Sequence, residues 1–520
     1  MLTRAVSQPW DIVVIGGGAT GAGVAVDAAT RGYSVLLLEQ HDFGKGTSSR
    51  STKLVHGGVR YLERGDIKLV REALHERGRL LKNAPHLVSD QAFVIPSYRW
   101  WEAPFYGIGL KLYDALASGD RFGGSRYLNR REVIRHLPTI QRQGLRGGIL
   151  YHDGQFDDAR LLINLIQTAA ENGAAVVNYA KVIRLQRNMS NRVSGVSIQD
   201  VETGNEYDVA AKVVVNATGA FCDALRLLND PNAKPMVAPS QGIHLMFDRS
   251  FLPGDSALMV PKTPDGRVMF AIPWHGHTLV GTTDVKVASA ELEPRATEAE
   301  IAFILDTAGR YLAKKPTRAD VLSVFAGIRP LVQADVAKNT AALSRDHTIR
   351  NESGLLTITG GKWTTYRNMA EDGVNLAATW AALPQRVCQT KTLPIHGWCE
   401  VTTMNDPLSV YGSDAAAIRG LNRPERLHAE LPYTEAEVIW ATRQEMARSV
   451  EDVLSRRLRA LLLNATAAVA MAPRVATLMA TELGYDSKWE AEQVRAFRDL
   501  ARGYDLNRGP VVTTANLATV

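Results

Sequence analysis

Near its start the chain alternates runs that read as buried strands with stretches of small and polar residues. Asp11-Ile-Val-Val-Ile15 is a short β-branched run of the kind that forms a parallel strand buried on both faces. Gly16-Gly-Gly-Ala-Thr-Gly21 follows without a spacer, and Ala22 to Thr30 reads as a helix of small residues. Arg31-Gly32 is a helix stop, and Ser34-Val-Leu-Leu-Leu38 predicts a second strand that ends in Glu39. Further strands are predicted at Val213–Asn216, His244-Leu-Met-Phe, Val268-Met-Phe-Ala-Ile, Thr278-Leu-Val and Thr357-Ile-Thr. After Pro394 the sequence turns loop-rich, and from about Glu435 it becomes helical. No run reaches the roughly 18 continuous apolar residues of a membrane span. Ile12–Ala29 is broken by glycines, and Ala460–Ala472 is too short.

The first fifty residues form a βαβ unit with G-x-G-x-x-G at Gly16, Gly18 and Gly21, and with Ala19 and Thr20 opening the helix. Such glycines permit a tight turn, close approach of backbone N–H groups to a pyrophosphate, and close helix–strand packing. Glu39 comes 18 residues after Gly21, where a carboxylate accepts hydrogen bonds from a ribose diol. A dinucleotide site is therefore expected. The chain shows no second motif of this kind, so a single redox cofactor must meet an outside electron acceptor. A bound flavin suits that better than a diffusing nicotinamide, though composition leaves both open.

With 520 residues, 45% hydrophobic and 22% charged, the chain is globular, and its length predicts about three domains or one interleaved body. Its three cysteines, Cys222, Cys388 and Cys399, are odd in number and widely spaced. That argues against a disulfide scaffold, an iron–sulfur cluster or a structural zinc site, and for a reducing compartment. No metal is expected. The N-terminus has no apolar stretch of signal-peptide type. The formal net charge of +6 is mild and favours anionic small molecules or an anionic lipid surface. Zinc-finger and RNA-binding signatures are missing, so nucleic acid is not an expected partner.

The run Gly46-Thr-Ser-Ser-Arg-Ser-Thr-Lys-Leu-Val-His-Gly-Gly-Val-Arg-Tyr-Leu62 closely resembles the FAD-dependent, respiratory glycerol-3-phosphate dehydrogenases. The likeness continues in order through Tyr151–Arg160, Val213–Ala220, Gly281-Thr-Thr-Asp284, Gly327-Ile-Arg-Pro-Leu331, Ser344-Arg-Asp-His347 and Gly360–Arg367, and into a helical tail from Arg443 to Leu458. It implies an α/β fold: a Rossmann-like FAD-binding domain of the D-amino-acid-oxidase/glutathione-reductase type, a β-rich substrate domain and an α-helical C-terminal domain. The oxidoreductase region would span 1–395, with a discontinuous FAD domain at about 1–90, 151–235 and 341–395 and a substrate domain at about 91–150 and 236–340. Residues 396–520 would form the helical domain. The implied chemistry is oxidation of sn-glycerol 3-phosphate to dihydroxyacetone phosphate by hydride transfer from C2 to FAD N5, with electrons passed to a membrane quinone. The implied setting is peripheral, on the inner face of the cytoplasmic membrane, with a homodimer compatible. The calcium-binding extension of mitochondrial relatives is not expected.

For the cofactor, Thr47, Ser48 and Ser49 precede a predicted helix and offer hydroxyls to phosphate or ribose oxygens, where an ordinary cap would need one of them. Ala217, Thr218 and Gly219 make a tight exit suited to a second backbone approach. Gly361, Lys362, Trp363 and Thr364 open a helix whose N-terminus would stabilise negative charge on the flavin. Removing the C2 hydroxyl proton needs a base, and imidazole suits neutral pH. Of the 12 histidines, His56 is the first candidate, with His244 and His347 as alternatives that also serve as substrate contacts. A phosphate monoester is best held by guanidinium groups. The family patterns nominate Arg60, Arg329 and Arg345, with Lys362 as a catalytic point charge; most other basic residues read as solvated surface. One departure is Gln241, where the family pattern leads one to expect Lys, which puts the role of this strand and of His244 in question.

Trp101, Phe105, Ile108 and Leu112 recur at helical spacing in a segment with Arg99 and Lys111. Such a stripe reads either as core or as an interfacial anchor on a membrane surface. Three rivals to the dehydrogenase stand: a glycerol-3-phosphate oxidase using O₂, an amine or amino-acid oxidase on the same fold, and a flavin-bearing sensor without turnover. The first carries an insertion not evident in this chain.

Overall fold

The computed structural model describes residues 2–58, 66–117, 122–263, 265–333, 347–400 and 406–507. The β-branched run does lie inside a sheet, between two parallel neighbours. Trp10–Ile15 pairs with Val35–Leu38 on one side and with Glu206–Asn216 on the other. Among the described residues this sheet has eight strands, ordered His347–Glu352, Leu355–Gly360, Glu206–Asn216, Trp10–Ile15, Val35–Leu38 and Ala175–Val177, with Ala180–Arg187 and Val193–Asp200 extending from Glu206–Asn216. The helix Ala19–Thr30 is made of small residues because it is squeezed. A Cβ at Gly23 would lie 2.8 Å from the Tyr366 ring of the helix Tyr366–Trp380.

A second sheet is ten-stranded among the described residues, and residues of both sheets line one cavity. Its strands Val237–Asp248 and Val321–Val332 pair along nearly their whole length, while Gly147–Phe156 pairs with Val88–Ser97, Arg126–Asn129 and Leu54–Val55. The segment Tyr151–Arg160 is thus a pivot from this sheet into the helix Asp158–Glu171, which covers the first sheet.

Two expectations of regular helix fail here. Thr47–Ser49 form a single 3₁₀ turn, not the lead into a helix. Lys53 Nζ reaches back to Ser49 O (2.8 Å) and to Asp158 Oδ1 (2.7 Å), and Ser51 Oγ donates to Asp158 Oδ2 (2.6 Å). These side-chain bonds pull the chain into an extended path. The expected helical tail Arg443–Leu458 is also broken. The helix Glu435–Gln444 ends, Met446 takes φ 57°, and a separate π-helical turn occupies Asp452–Arg457.

The C-terminal region is otherwise helical, with Ala465–Leu483 and Ser487–Ala501 following a small hairpin of Arg426–His428 and Leu431–Thr434. The apolar stretch from Ala460 is core. Ala467, Met471 and Val475 pack in one cluster with Met246, Ile272 and Phe325 of the second sheet, and Ser323 Oγ donates to Leu461 O at 2.7 Å. Among the described residues no helix is long and apolar enough to cross a membrane.

A histidine clasp joins the residues after Pro394 to the first sheet's helix. His396 meets Glu171 Oε1 through Nδ1 (2.6 Å) and Asp414 Oδ2 through Nε2 (2.8 Å). Burial opposes its charge, but the Asp414 and Glu171 carboxylates outweigh it and raise its pKa. A pKa raised by folding adds stability below the ordinary imidazole value of about 6.5, and that stability is lost as pH rises through the folded value. The Tm of His396→Asn should therefore fall below wild type at about pH 6, and the gap should narrow as pH rises.

Candidate active site

The glycine turn is shaped for backbone contact. Gly16 has φ 107°, and a Cβ there would stand 2.7 Å from Ala217 O; one at Gly21 would stand 1.8 Å from Gly16 O. Side chains at these positions would push the helix Ala19–Thr30 off the strand end. The cap position Gly18 makes no side-chain bond to the helix, and Ala19 N–H is met by Ser48 Oγ at 3.0 Å. Glu39 accepts from Gly17 N–H (2.7 Å) and His41 N–H (2.9 Å), and burial raises its pKa.

These groups line one side of a cavity of about 500 Å³ at the carboxyl ends of the parallel strands. Gly16, Gly18, Ala19, Thr20, Glu39, Thr47, Ser48, Ala217, Thr218, Gly219, Gly361, Lys362, Trp363 and Thr364 all reach its wall. Gly21 and Ser49 stand behind it. Gly21 packs on Gly16, and Ser49 Oγ donates to Gly44 O (2.8 Å). Thr47 is turned toward the second sheet and donates to Ile328 O at 2.5 Å. A helix N-terminus whose cap position is glycine, a turn that excludes Cβ atoms and a carboxylate at the second strand end together fit a dinucleotide. At the far end Gly361 has φ 68°, and Lys362 occupies the cap position of the turn Trp363–Thr365, which leads into Tyr366–Trp380.

The opposite wall comes from the second sheet, which contributes Gly242, His244, Gly327 and Arg329, and from the loop after Leu54–Val55, which contributes His56. His244 is buried, stacked on Phe325 with ring centroids 5.0 Å apart, and its Nε2 meets Thr52 Oγ1 at 2.9 Å. Burial, then the Arg329 and Lys53 charges, drive its pKa well below the ordinary value, so the ring is neutral. Arg329 Nη2 donates to Thr282 Oγ1 (3.1 Å) and Nη1 approaches Asp284 Oδ1 (3.4 Å). Its guanidinium lies over Gly242, where a Cβ would come within 2.4 Å of Nη2. His56 is carried by a loop whose next residue, Gly57, donates its N–H to Asp153 Oδ1 at 3.3 Å, and the His56 carbonyl accepts from Thr364 Oγ1 at 3.4 Å.

Three nominated residues are not among those just placed. Arg60 and Arg345 lie outside the described residues. His347 is off the cavity wall, with Nε2 on Asp372 Oδ2 at 3.0 Å. Gln241 is also off the wall. Its amide donates to Arg295 O and Glu300 Oε2, both at 2.9 Å, bracing the start of the helix Glu298–Tyr311. The departure at 241 therefore leaves the cavity face of this strand intact. Thr52, Thr282 and Asp284, which orient His244 and Arg329, had no assigned role in the sequence. Their signal was present, since all three fall in the motif runs Gly46–Leu62 and Gly281–Asp284. Among the described residues no cluster of His, Cys, Asp and Glu is arranged to hold a metal ion.

The chain is similar to known proteins along nearly its whole length. Residues 11–367 match the family described as FAD dependent oxidoreductase, and 356–490 match the C-terminal domain of alpha-glycerophosphate oxidase. The mitochondrial glycerol-3-phosphate dehydrogenase of Arabidopsis thaliana is 41% identical, over 96% of this chain and 87% of the plant protein. That of Homo sapiens is 40% identical, over 96% of this chain and 74% of the human one. The glycerol-3-phosphate dehydrogenase of Bacillus halodurans, complexed with FAD, superposes with a TM-score of 0.78 at 29% identity over 96% of both chains. L-alpha-glycerophosphate oxidase of Mycoplasma pneumoniae shares the fold, with a TM-score of 0.58 at 16% identity over 74% of this chain and 97% of the oxidase.

Proposed function

The chain belongs to the FAD-dependent glycerol-3-phosphate dehydrogenases, and from that premise we propose how its own residues carry the reaction and where the electrons go. It is a flavoprotein oxidoreductase that oxidises glycerol 3-phosphate to dihydroxyacetone phosphate. The observation that carries the residue assignment is one cavity with a nucleotide cradle on one wall and Arg329, His244 and His56 on the other.

FAD, when bound, supplies the two-electron acceptor. Gly16–Thr20, Ser48 and Ala217–Gly219 hold it through backbone and hydroxyl groups, and Glu39 takes the ribose. Arg329 binds the substrate phosphate, a near-dianion best met by a planar fork. Its position beside Asp284 and Thr282 fixes the direction of that fork. His56 takes the C2 hydroxyl proton as the C2–H bond gives up its electron pair. Lys362, at the cap of the turn Trp363–Thr365, adds positive charge where negative charge grows.

The acceptor we assign is a membrane quinone, with the protein held on a lipid surface of the cytoplasmic face. The helix Glu102–Leu116 supports this. Its buried residues Leu110 and Tyr113 face inward, while Phe105 (57%), Ile108 (76%) and Leu112 (46%) stay exposed. The stripe is thus no core element, and an apolar helix face of this kind suits an interfacial anchor. The double variant Phe105→Glu/Ile108→Glu should lose co-sedimentation with anionic vesicles by ~10-fold or more, with turnover on a water-soluble acceptor unchanged.

The reading as a whole is tested anaerobically. Glycerol 3-phosphate should bleach the flavin, amino acids should leave it oxidised, and a quinone analogue should then be reduced in preference to peroxide forming in air. Rapid peroxide formation with no quinone reduction would make the protein an oxidase.

A further inference from the structure

The segment between Glu39 and Ser48 forms one wall of the cofactor cavity, with Glu39, Gln40, His41, Lys45, Thr47 and Ser48 reaching its surface. Asp42 does not. It points away from the cavity and is fully buried. Its partners come from more than four hundred residues further along the chain. Arg457 Nη1 donates to Asp42 Oδ2 at 2.6 Å and Nη2 to Oδ1 at 2.8 Å, and Arg456 Nε donates to Oδ2 as well. Despite burial, the two guanidinium groups hold the Asp42 carboxyl below its usual range.

Both arginines reach that one carboxylate from a π-helical turn, Asp452–Arg457, closed by Leu458 N–H on Val453 O at 2.8 Å. Such wide turns mark places where function overrides regular helix.

The same turn grips the cavity wall at two further points. Glu451 Oε2 accepts from Lys45 Nζ at 2.8 Å. Asp452 accepts from Tyr179 OH at 2.9 Å, and Tyr179 N–H donates to His41 O at 3.1 Å. The adjoining Ala180 lines the cavity and donates its N–H to Glu39 O at 2.8 Å. Acid and base are matched throughout. Arg160 pairs with Glu445 at 2.7 Å, and Arg459 with Asp157 at 3.0 Å. A buried cluster of this size is costly unless every charge is met, so its registry is narrow. It touches the cofactor wall from behind and leaves the substrate side, with Arg329 and His56, alone.

We propose that the C-terminal region is a cofactor-retention device: Arg456 and Arg457 are positioning residues that, through Asp42, set the loop from Glu39 to Ser48 for the nucleotide half of FAD. This inference rests on the flavoprotein reading but is separable from it, since it concerns affinity for FAD and not the chemistry.

The test uses the full chain, stripped of FAD and titrated back, with binding followed by quenching of flavin fluorescence. Arg457→Gln should weaken FAD binding by ~10-fold or more, and Tyr179→Phe should weaken it less and in the same direction. Arg457→Lys, which keeps the charge, should recover most of the loss. At saturating FAD, Arg457→Gln should reduce its flavin with glycerol 3-phosphate at the wild-type rate and with the wild-type KM. If Arg457→Gln does not fold, the FAD affinity of Tyr179→Phe decides. An unchanged FAD affinity in the variants that fold, or a fall in kcat that saturating FAD does not restore, would overturn the proposal. Wild-type protein that binds FAD but is not bleached by the substrate would overturn the assigned reaction and leave this inference standing.

Discussion

Arg329→Ala should raise KM for glycerol 3-phosphate by roughly 30- to 1,000-fold, which is about 2–4 kcal/mol of lost phosphate affinity. Two effects act in the same direction. The phosphate loses the fork of charge-assisted hydrogen bonds. The Asp284 carboxylate, 3.4 Å from Arg329 Nη1, also loses a neighbouring positive charge and faces the incoming dianion. The side chain is only 24% exposed, so solvent screens the lost contact modestly. Arg329→Lys should lie between, since it keeps the charge and loses the bidentate geometry. The measurement is steady-state KM and kcat on FAD-saturated protein. An unchanged KM in Arg329→Ala removes this guanidinium from the phosphate site.

His56→Ala should instead lower kcat by on the order of 10²-fold or more with a small change in KM, because a general base acts in the transition state. The rate of flavin bleaching in a single anaerobic turnover isolates that step. In the variant the residual rate should rise with pH, as hydroxide replaces the imidazole. A surviving kcat would pass the role to His244. That ring is buried and neutral on the cavity wall, with Nε2 on the Thr52 hydroxyl. His347 is no successor, because it is off the wall and held on Asp372.

Several motif residues turn out to be architectural, and the sequence had no means of separating them from chemistry. In Phe156-Asp-Asp-Ala-Arg160, Asp157 pairs with Arg459, Asp158 with Lys53, and Arg160 with Glu445. Each partner is distant along the chain. A charged residue in a motif looks the same whether it meets a substrate or a buried counter-charge. The stripe at Trp101–Leu112 was ambiguous for a related reason. Helical periodicity shows that one face is apolar, but not whether another element covers it.

What the chain order determined alone is local. A β-branched run ending in three glycines and followed by small residues makes a strand, a Cβ-excluding turn and a close-packed helix, and Glu39 at the next strand end lines the same cavity. Those features are set by backbone sterics within about thirty residues, so they are legible without a fold. Only the tertiary structure decided which wall Arg329 and His244 join, that Gln241 braces a helix and not a ligand, and that two arginines of a π-helical turn stand behind the cofactor loop. Those outcomes depend on pairs formed across hundreds of residues, where burial selects the partners and a motif read one position at a time carries no distance.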